Sequence, residues 1–236
     1  QTGLYTAAYK FFDLLAFFPA VVSHSLYPLF ATLMSQNKLA EVRTILERYL
    51  RFMSAVALPM ATGAMLLSGP LIRILAGEQY AEAANVLAVL VWAPAILFMY
   101  IVVNSLVISQ LTKFAVAITG VNVVINVGGN LMLLPRVGIM GAAGMTLVSE
   151  SIQGIFYFYF VRKKITQFKF LINLWQPLIA SSIMGVVVYF LRDQFILIPV
   201  VVGAVTYILS LLVLGFIRKD DLRFFIGLMR KSYDGS

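Results

Sequence analysis

Seven apolar stretches of membrane-spanning length follow one another along the chain with only short polar links between them: Leu14–Met34, Phe52–Leu75, Val86–Ile108, Phe114–Leu134, Ile139–Val161, Leu174–Leu191 and Phe195–Ile217. Each approaches the ~20 residues that a helix needs to cross the hydrocarbon core. Lipid cannot hydrogen-bond a bare backbone, so a span is either helical or part of a closed barrel. Barrel strands alternate polar and apolar residues, which these stretches do not. The expected fold class is therefore all-α, a polytopic membrane helical bundle of about seven transmembrane helices. Residues 1–217 form the membrane unit, with the first helix starting near residue 4, and residues 218–236 form a basic tail.

Composition narrows the function classes. The chain is 61% hydrophobic and 12% charged, about half the charged fraction of a soluble domain. Its formal net charge of +8 does not point to nucleic acid, because the basic residues sit in links between spans and not in an aromatic-interleaved patch. Without cysteine there are no disulfides or thiolate metal sites, and a single histidine leaves no multi-histidine centre within the chain. No metal and no cofactor are expected.

Lys and Arg alternate between the two sides that the spans define. Fourteen of the 18 fall on the side reached after the first span, among them Lys38, Arg43, Arg48, Arg51, Lys113 and Arg162 to Lys164. Arg73, Arg136 and Arg192 fall on the other, and Lys10 lies inside the first helix. The rule that positive links stay inside makes the richer side cytoplasmic and places the C-terminus there, in a multi-pass protein of the cell membrane. An odd span count puts the N-terminus outside. Gln1 is not an initiator methionine, so the sequence reads as part of a longer chain. No internal repeat is visible, so it reads as one half of a transporter whose substrate site lies between two halves.

Residues 35–51 read as an amphipathic helix lying along the cytoplasmic interface, with Leu39, Val42, Ile45, Leu46, Tyr49 and Leu50 opposite Lys38, Glu41, Arg43, Glu47 and Arg48. The tail from Arg218 repeats the pattern. Both fix topology, and contact with anionic membrane lipid is the sharper alternative.

Polar residues inside spans are costly, and they mark the candidate sites. Lys10 and Asp13, at i and i+3, share a helix face. They form either a structural ion pair or a cationic position lining a cavity. His24, between Pro19 and Pro28, reads as a hydrogen-bonded packing histidine, with a proton relay as second reading. Asn122, Asn126 and Asn130 make a stripe along the fourth span that either glues helices or lines a wet path. Glu150, flanked by Ser149, Ser151 and Gln153, is a mid-span carboxylate and the best single candidate for function. Pro135 is expected to stop the fourth span, and Gly138, Gly141, Ala142 and Gly144 to start the fifth with a surface that permits close backbone approach.

Several segments together resemble polysaccharide-exporting flippases of the multidrug, oligosaccharidyl-lipid and polysaccharide exporter superfamily. They are the opening Gly3-Leu-Tyr5-Thr-Ala-Ala-Tyr9-Lys10, Leu26-Tyr-Pro28-Leu-Phe, Gly77-Glu-Gln-Tyr80-Ala-Glu-Ala, and Asn126 followed by Leu134-Pro135 through Gly144 and Ser149-Glu150. The resemblance covers nearly the whole chain in order and spacing. It implies a C-terminal lobe, beginning at about the eighth helix of a 12- or 14-helix protein, whose missing N-terminal lobe completes a central electropositive cavity. The implied substrate is a polyprenyl-pyrophosphate-linked oligosaccharide, moved by alternating access, with H+ or Na+ as a coupling ion. On that resemblance Lys10 holds phosphate charge, with Arg73 and Arg136 as secondary candidates. Asp13 beside Lys10 partly cancels its charge, so the missing lobe must supply most of the cavity's positive potential.

Two alternatives stand beside the flippase. A multidrug cation antiporter of the same superfamily would favour an acidic cavity with groups such as Asp13 and Glu150. A membrane glycan polymerase or ligase would need a positioned acid, base or nucleophile and an outer loop able to hold an acceptor. The outer links are too small for that, so no enzyme is expected.

Overall fold

The computed structural model describes the backbone of residues 2–169 and 174–216, with side chains from residue 15 onward except 16 and 18. Among them are nine α-helices: α1 (Thr2–Ser35), α2 (Leu39–Leu66), α3 (Ser68–Ala76), α4 (Ala83–Leu90), α5 (Trp92–Gln110), α6 (Thr112–Val137), α7 (Ile139–Lys164), α8 (Trp175–Leu191) and α9 (Leu197–Val213). A single 3-10 turn, Glu78–Tyr80, follows α3. Strands are absent among the described residues. The expected all-α class is what the structure has.

The helices form seven rods, one for each apolar stretch. Leu67 makes a local break between α2 and α3. Val91 keeps helical dihedrals between α4 and α5, so residues 83–110 run on as one apolar length. Among the described residues three helical lengths, Leu39–Leu66, Ala83–Gln110 and Thr112–Val137, are long and apolar enough to cross a membrane, and α8 and α9 are shorter apolar helices. The chain is a multi-pass membrane protein.

The main core gathers around α5, which packs on α1, α2 and α7. Phe30, Leu46, Tyr49, Phe98, Val103, Leu106 and Tyr157 meet there. Tyr49 is fully buried, and its hydroxyl donates to the Phe98 carbonyl at 2.6 Å, so the polar end of the ring is satisfied inside an apolar cluster. A second cluster joins α3, α4 and α7 through Ile72, Leu87 and Ala143. A third seats α8 and α9 on α2, where Tyr207 Oη donates to the Ala55 carbonyl at 2.7 Å.

Two expectations are corrected here. The stretch 35–51 is not a separate helix along the membrane surface, since residues 39–51 are the first turns of α2 and run straight into the second span. Val42, Leu46, Tyr49 and Leu50 are buried in the main core. Most of the apolar stripe is thereby satisfied by protein, while Leu39 at the start of α2 stays exposed. Pro135 does not end the fourth span either, because α6 continues to Val137. A proline forfeits one hydrogen bond to the preceding turn, and the helix carries on until Gly138, whose φ of 68° turns the chain. The tail 218–236 lies outside the described residues.

The start of α2 and the link after α7 meet through a carboxylate. Glu47 Oε1 there accepts from Arg43 Nε and from the Lys169 backbone N–H, both at 3.0 Å. The link after α7 is thereby tied to α2.

Close approach sets where α8 and α9 meet. A Cβ built on Gly203 would lie 2.7 Å from Val188 Cγ2, and overpacking of this kind costs about 1–3 kcal/mol. Gly203→Ala is expected to lower the thermal midpoint in detergent, and Val188→Ala in the same chain to restore most of the loss. Equal midpoints for Gly203→Ala and the unsubstituted chain would show that α8 and α9 separate freely.

Candidate functional site

A polar seam runs between α6 and α7 and reaches across to α5. Asn122, Asn126 and Asn130 stand at successive turns of α6 and face the partly polar side of α7. Asn126 Nδ2 donates to Ser149 Oγ at 2.9 Å, and Asn130 Nδ2 donates to Asn126 Oδ1 at 3.0 Å. Asn122 Nδ2 donates to Gln153 Oε1, whose Nε2 is 3.4 Å from Tyr157 Oη. Ser149 and Gln153 are buried, and Ser149 Oγ closes its own account on the Thr146 carbonyl at 3.0 Å.

Glu150 follows Ser149 by one residue and so turns about 100° around the helix. It meets α5, where the Tyr100 hydroxyl donates to Glu150 Oε2. Tyr100 stacks on Tyr157 with centroids 5.6 Å apart and planes at 29°. A Cβ on Gly154 would stand 3.2 Å from Tyr100 Cδ1, so the bare backbone of α7 is what lets the ring lie close enough to reach the carboxylate. Tyr157 Oη is also 3.4 Å from Thr119 Oγ1. One connected set of side chains thus links α5, α6 and α7.

The seam is not fully satisfied. The Oδ1 atoms of Asn122 and Asn130 are buried without a hydrogen-bond partner. Such groups are expensive in low dielectric, and they leave the seam with unused acceptors. Chemically this is a hydrogen-bonding and cation-accepting surface. It has no nucleophile-and-base pair of the kind covalent catalysis uses.

The predicted residues therefore separate. Glu150 and the three asparagines come together around α7. Lys10 and Asp13 are on α1, and their side chains lie outside the described residues. His24 is exposed on α1, because the inward face of that helix belongs to Ser23, Leu26, Phe30 and Leu33. Arg73, whose Nε lies 3.3 Å from Glu78 Oε2, is an exposed partner of that carboxylate. Arg136 is exposed near the end of α6. Neither arginine touches the seam. Tyr100, Tyr157 and Thr119 were not singled out from sequence. Tyrosines buried in the middle of apolar runs were the available signal, since each needs a partner for its hydroxyl.

Among the described residues no group of three or more His, Cys, Asp or Glu stands close enough to hold a metal ion.

The fold and the seam define a helical membrane bundle with a polar line between its spans, and comparison with known proteins gives it relatives. The family model described as "Polysaccharide biosynthesis protein" matches residues 1–85, a stretch that contains Lys10, the Leu26-Tyr-Pro28 motif and the Gly77–Ala83 turn. A probable flippase, AglR of Haloferax volcanii, is 27% identical over 157 residues, which are 65% of this chain and 33% of that protein. The solved structure of the lipid II flippase MurJ in an inward closed conformation superposes with a TM-score of 0.73 at 16% identity, over 88% of this chain and 45% of that one. The chain spans about a third of the curated relative it matches and just under half of the solved flippase. The resemblance read in the motifs, to flippases for polysaccharide and lipid-linked substrates, is what these comparisons find, and the fold is the MurJ-like one.

Removing the donor at Glu150 should be felt. Tyr100→Phe is expected to cost about 0.6–2 kcal/mol in detergent unfolding, the range for a hydrogen bond between membrane helices. In the Glu150→Gln background the same change should cost less, because the two residues share one bond. Additive losses in that double-mutant cycle would mean that Tyr100 and Glu150 do not interact.

Proposed function

We propose that this chain forms one lobe of a flippase that moves a polyprenyl-linked oligosaccharide from the cytoplasmic to the outer leaflet for surface polysaccharide assembly. What carries the proposal is the agreement of a relative named as a flippase with a flippase fold that this chain matches over just under half its length. A substrate cavity between two lobes then needs the N-terminal lobe as partner, and the basic link side, with the C-terminus, faces the cytoplasm. Alternating access by rocking of the lobes requires no covalent chemistry. The proline-bearing α1 is the element we expect to bend.

Roles follow from position and charge. Lys10 carries an ammonium on α1 in a chain with few intramembrane cations, and we assign it to the phosphate of the carrier lipid, because an ammonium attracts phosphate strongly where water is scarce. Glu150 and the asparagine seam lie on α7 and α6, across α5 from α1, and are assigned to the conformational step, with H+ or Na+ as the coupling ion. Arg73 and Arg136 stay secondary, as exposed residues at helix ends.

Depletion of the full-length protein should leave complete lipid-linked oligosaccharide on the cytoplasmic leaflet, as read with an impermeant probe. An unchanged leaflet distribution with higher sensitivity to cationic drugs would replace the flippase by a drug exporter. Single units stranded on the outer leaflet would indicate a polymerase or ligase. In the same cells Lys10→Ala should lower export about tenfold or more at unchanged membrane level, and normal export would remove Lys10 from the site. Glu150→Gln should also lower export while leaving the amount of protein in the membrane intact.

A further inference from the structure

The end of α7 carries a pocket that the polar seam does not use. A cavity of about 540 Å³ is lined by Ile155, Phe158, Tyr159, Arg162, Lys163 and Phe168. Its lining is graded along the helix. Ile155 and Phe158 lie two turns inside the end of α7, while Arg162 and Lys163 belong to the last turn. Lys163 Nζ donates to Tyr159 Oη at 2.8 Å and stands 5.2 Å from the centre of that ring. Phe168 is buried and lies 5.9 Å from Phe158, ring to ring. Gln167 Nε2 donates to the Arg162 carbonyl at 3.1 Å, which folds the link after α7 back against the helix end.

Each half of this lining favours a different part of a ligand. A free anion would use the two cations and gain nothing from Ile155 and Phe158. A neutral lipid would use the apolar wall and leave a guanidinium and an ammonium without a counter-charge. A molecule with an anionic head and an acyl chain satisfies both, and a tyrosine with basic residues at the end of a span is what the headgroup level of a bilayer selects. We propose that this pocket binds an anionic phospholipid of the surrounding membrane, its phosphate held by Arg162 and Lys163 and its acyl chain lying along Phe158 and Ile155. The site is independent of the flipped substrate. It anchors the basic end of α7, where Glu47 already ties the following link to α2.

The test is native mass spectrometry of the purified full-length protein in detergent, titrated with phosphatidylglycerol or phosphatidylcholine. Retention of phosphatidylglycerol over phosphatidylcholine is expected. Arg162→Gln with Lys163→Gln should weaken that retention by on the order of 30-fold, about 1 kcal/mol for each cation that faces the bound phosphate. Lys113→Gln with Lys164→Gln removes the same charge from exposed positions outside the pocket and should change retention less than threefold. Equal losses in the two double variants would reduce the effect to overall charge and overturn the site, as would equal retention of both lipids. Displacement of phosphatidylglycerol by millimolar inorganic phosphate would make it a simple anion site and overturn the lipid assignment. Both variants should keep the thermal midpoint of the parent, so a loss of lipid is separable from a loss of fold.

Discussion

Burial of α5 is the constraint from which the rest of the architecture follows. The apolar window in Ala83–Gln110 is 67% buried, against 6% for the corresponding window of α6. A helix that is apolar all round belongs in the middle of a bundle, and α5 is surrounded by α1, α2 and α7. Its neighbours then have one face each to spend on it. On α1 that face includes Ser23, whose Oγ is 2.6 Å from Ser105 Oγ. On α2 it includes Tyr49, bonded to the Phe98 carbonyl. On α7 it is Glu150, Gly154 and Tyr157 around Tyr100. Ser105, the Phe98 carbonyl and Tyr100 of α5 each find a polar partner on another helix, as a span without water around it demands.

α6 holds the opposite position. It packs chiefly on α7 and exposes Val116, Val124, Val127, Leu131 and Met132 on its far side. Apolar residues exposed on a membrane helix face lipid or another helix at little cost, so this side needs no further packing to be stable. Its near side is where the asparagines are. The helix is thus two-faced in a way that hydropathy alone averages out. The stripe binds α6 to α7 through Ser149 and Gln153, while two of its carbonyl oxygens stay unpaired. Glue and unused polar capacity coexist on one stripe.

Much of this was legible in the sequence because the rules of lipid solvation are strict. The spans had to be helices, and links without length had to be tight turns, so Gly138 with its positive φ falls between α6 and α7. Glu150 and the asparagines could be picked out because charged and amide groups are rare at that depth. Their partners were harder to read. Tyr100 and Tyr157 look like ordinary apolar filling in a chain with 11 tyrosines, and only the crossing of α5 over Gly154 turns one of them toward a carboxylate. The stretch 35–51 misled for a related reason. A one-sided helix next to a membrane has the same pattern whether its apolar side meets lipid or protein, and here α5 was the main partner.

A polar seam of this kind is a poor way to gain stability, and that bears on what it is for. Replacing buried polar pairs by well-packed apolar ones is often neutral or stabilising, and hydrogen bonds between membrane helices contribute only about 0.6 kcal/mol on average. Apolar side chains such as Leu or Met at positions 122, 126, 130 and 150 would hold α6 and α7 to α5 at least as well. Retaining a carboxylate, three amides and a tyrosine hydroxyl therefore makes sense where the contacts must be exchanged as the helices move. Unpaired amide oxygens lower the cost of such an exchange, because a new donor can be accepted before an old one is released. In the flippase cycle proposed above, Glu150 is held by Tyr100 in this arrangement of the helices and exchanges that partner as the lobes move.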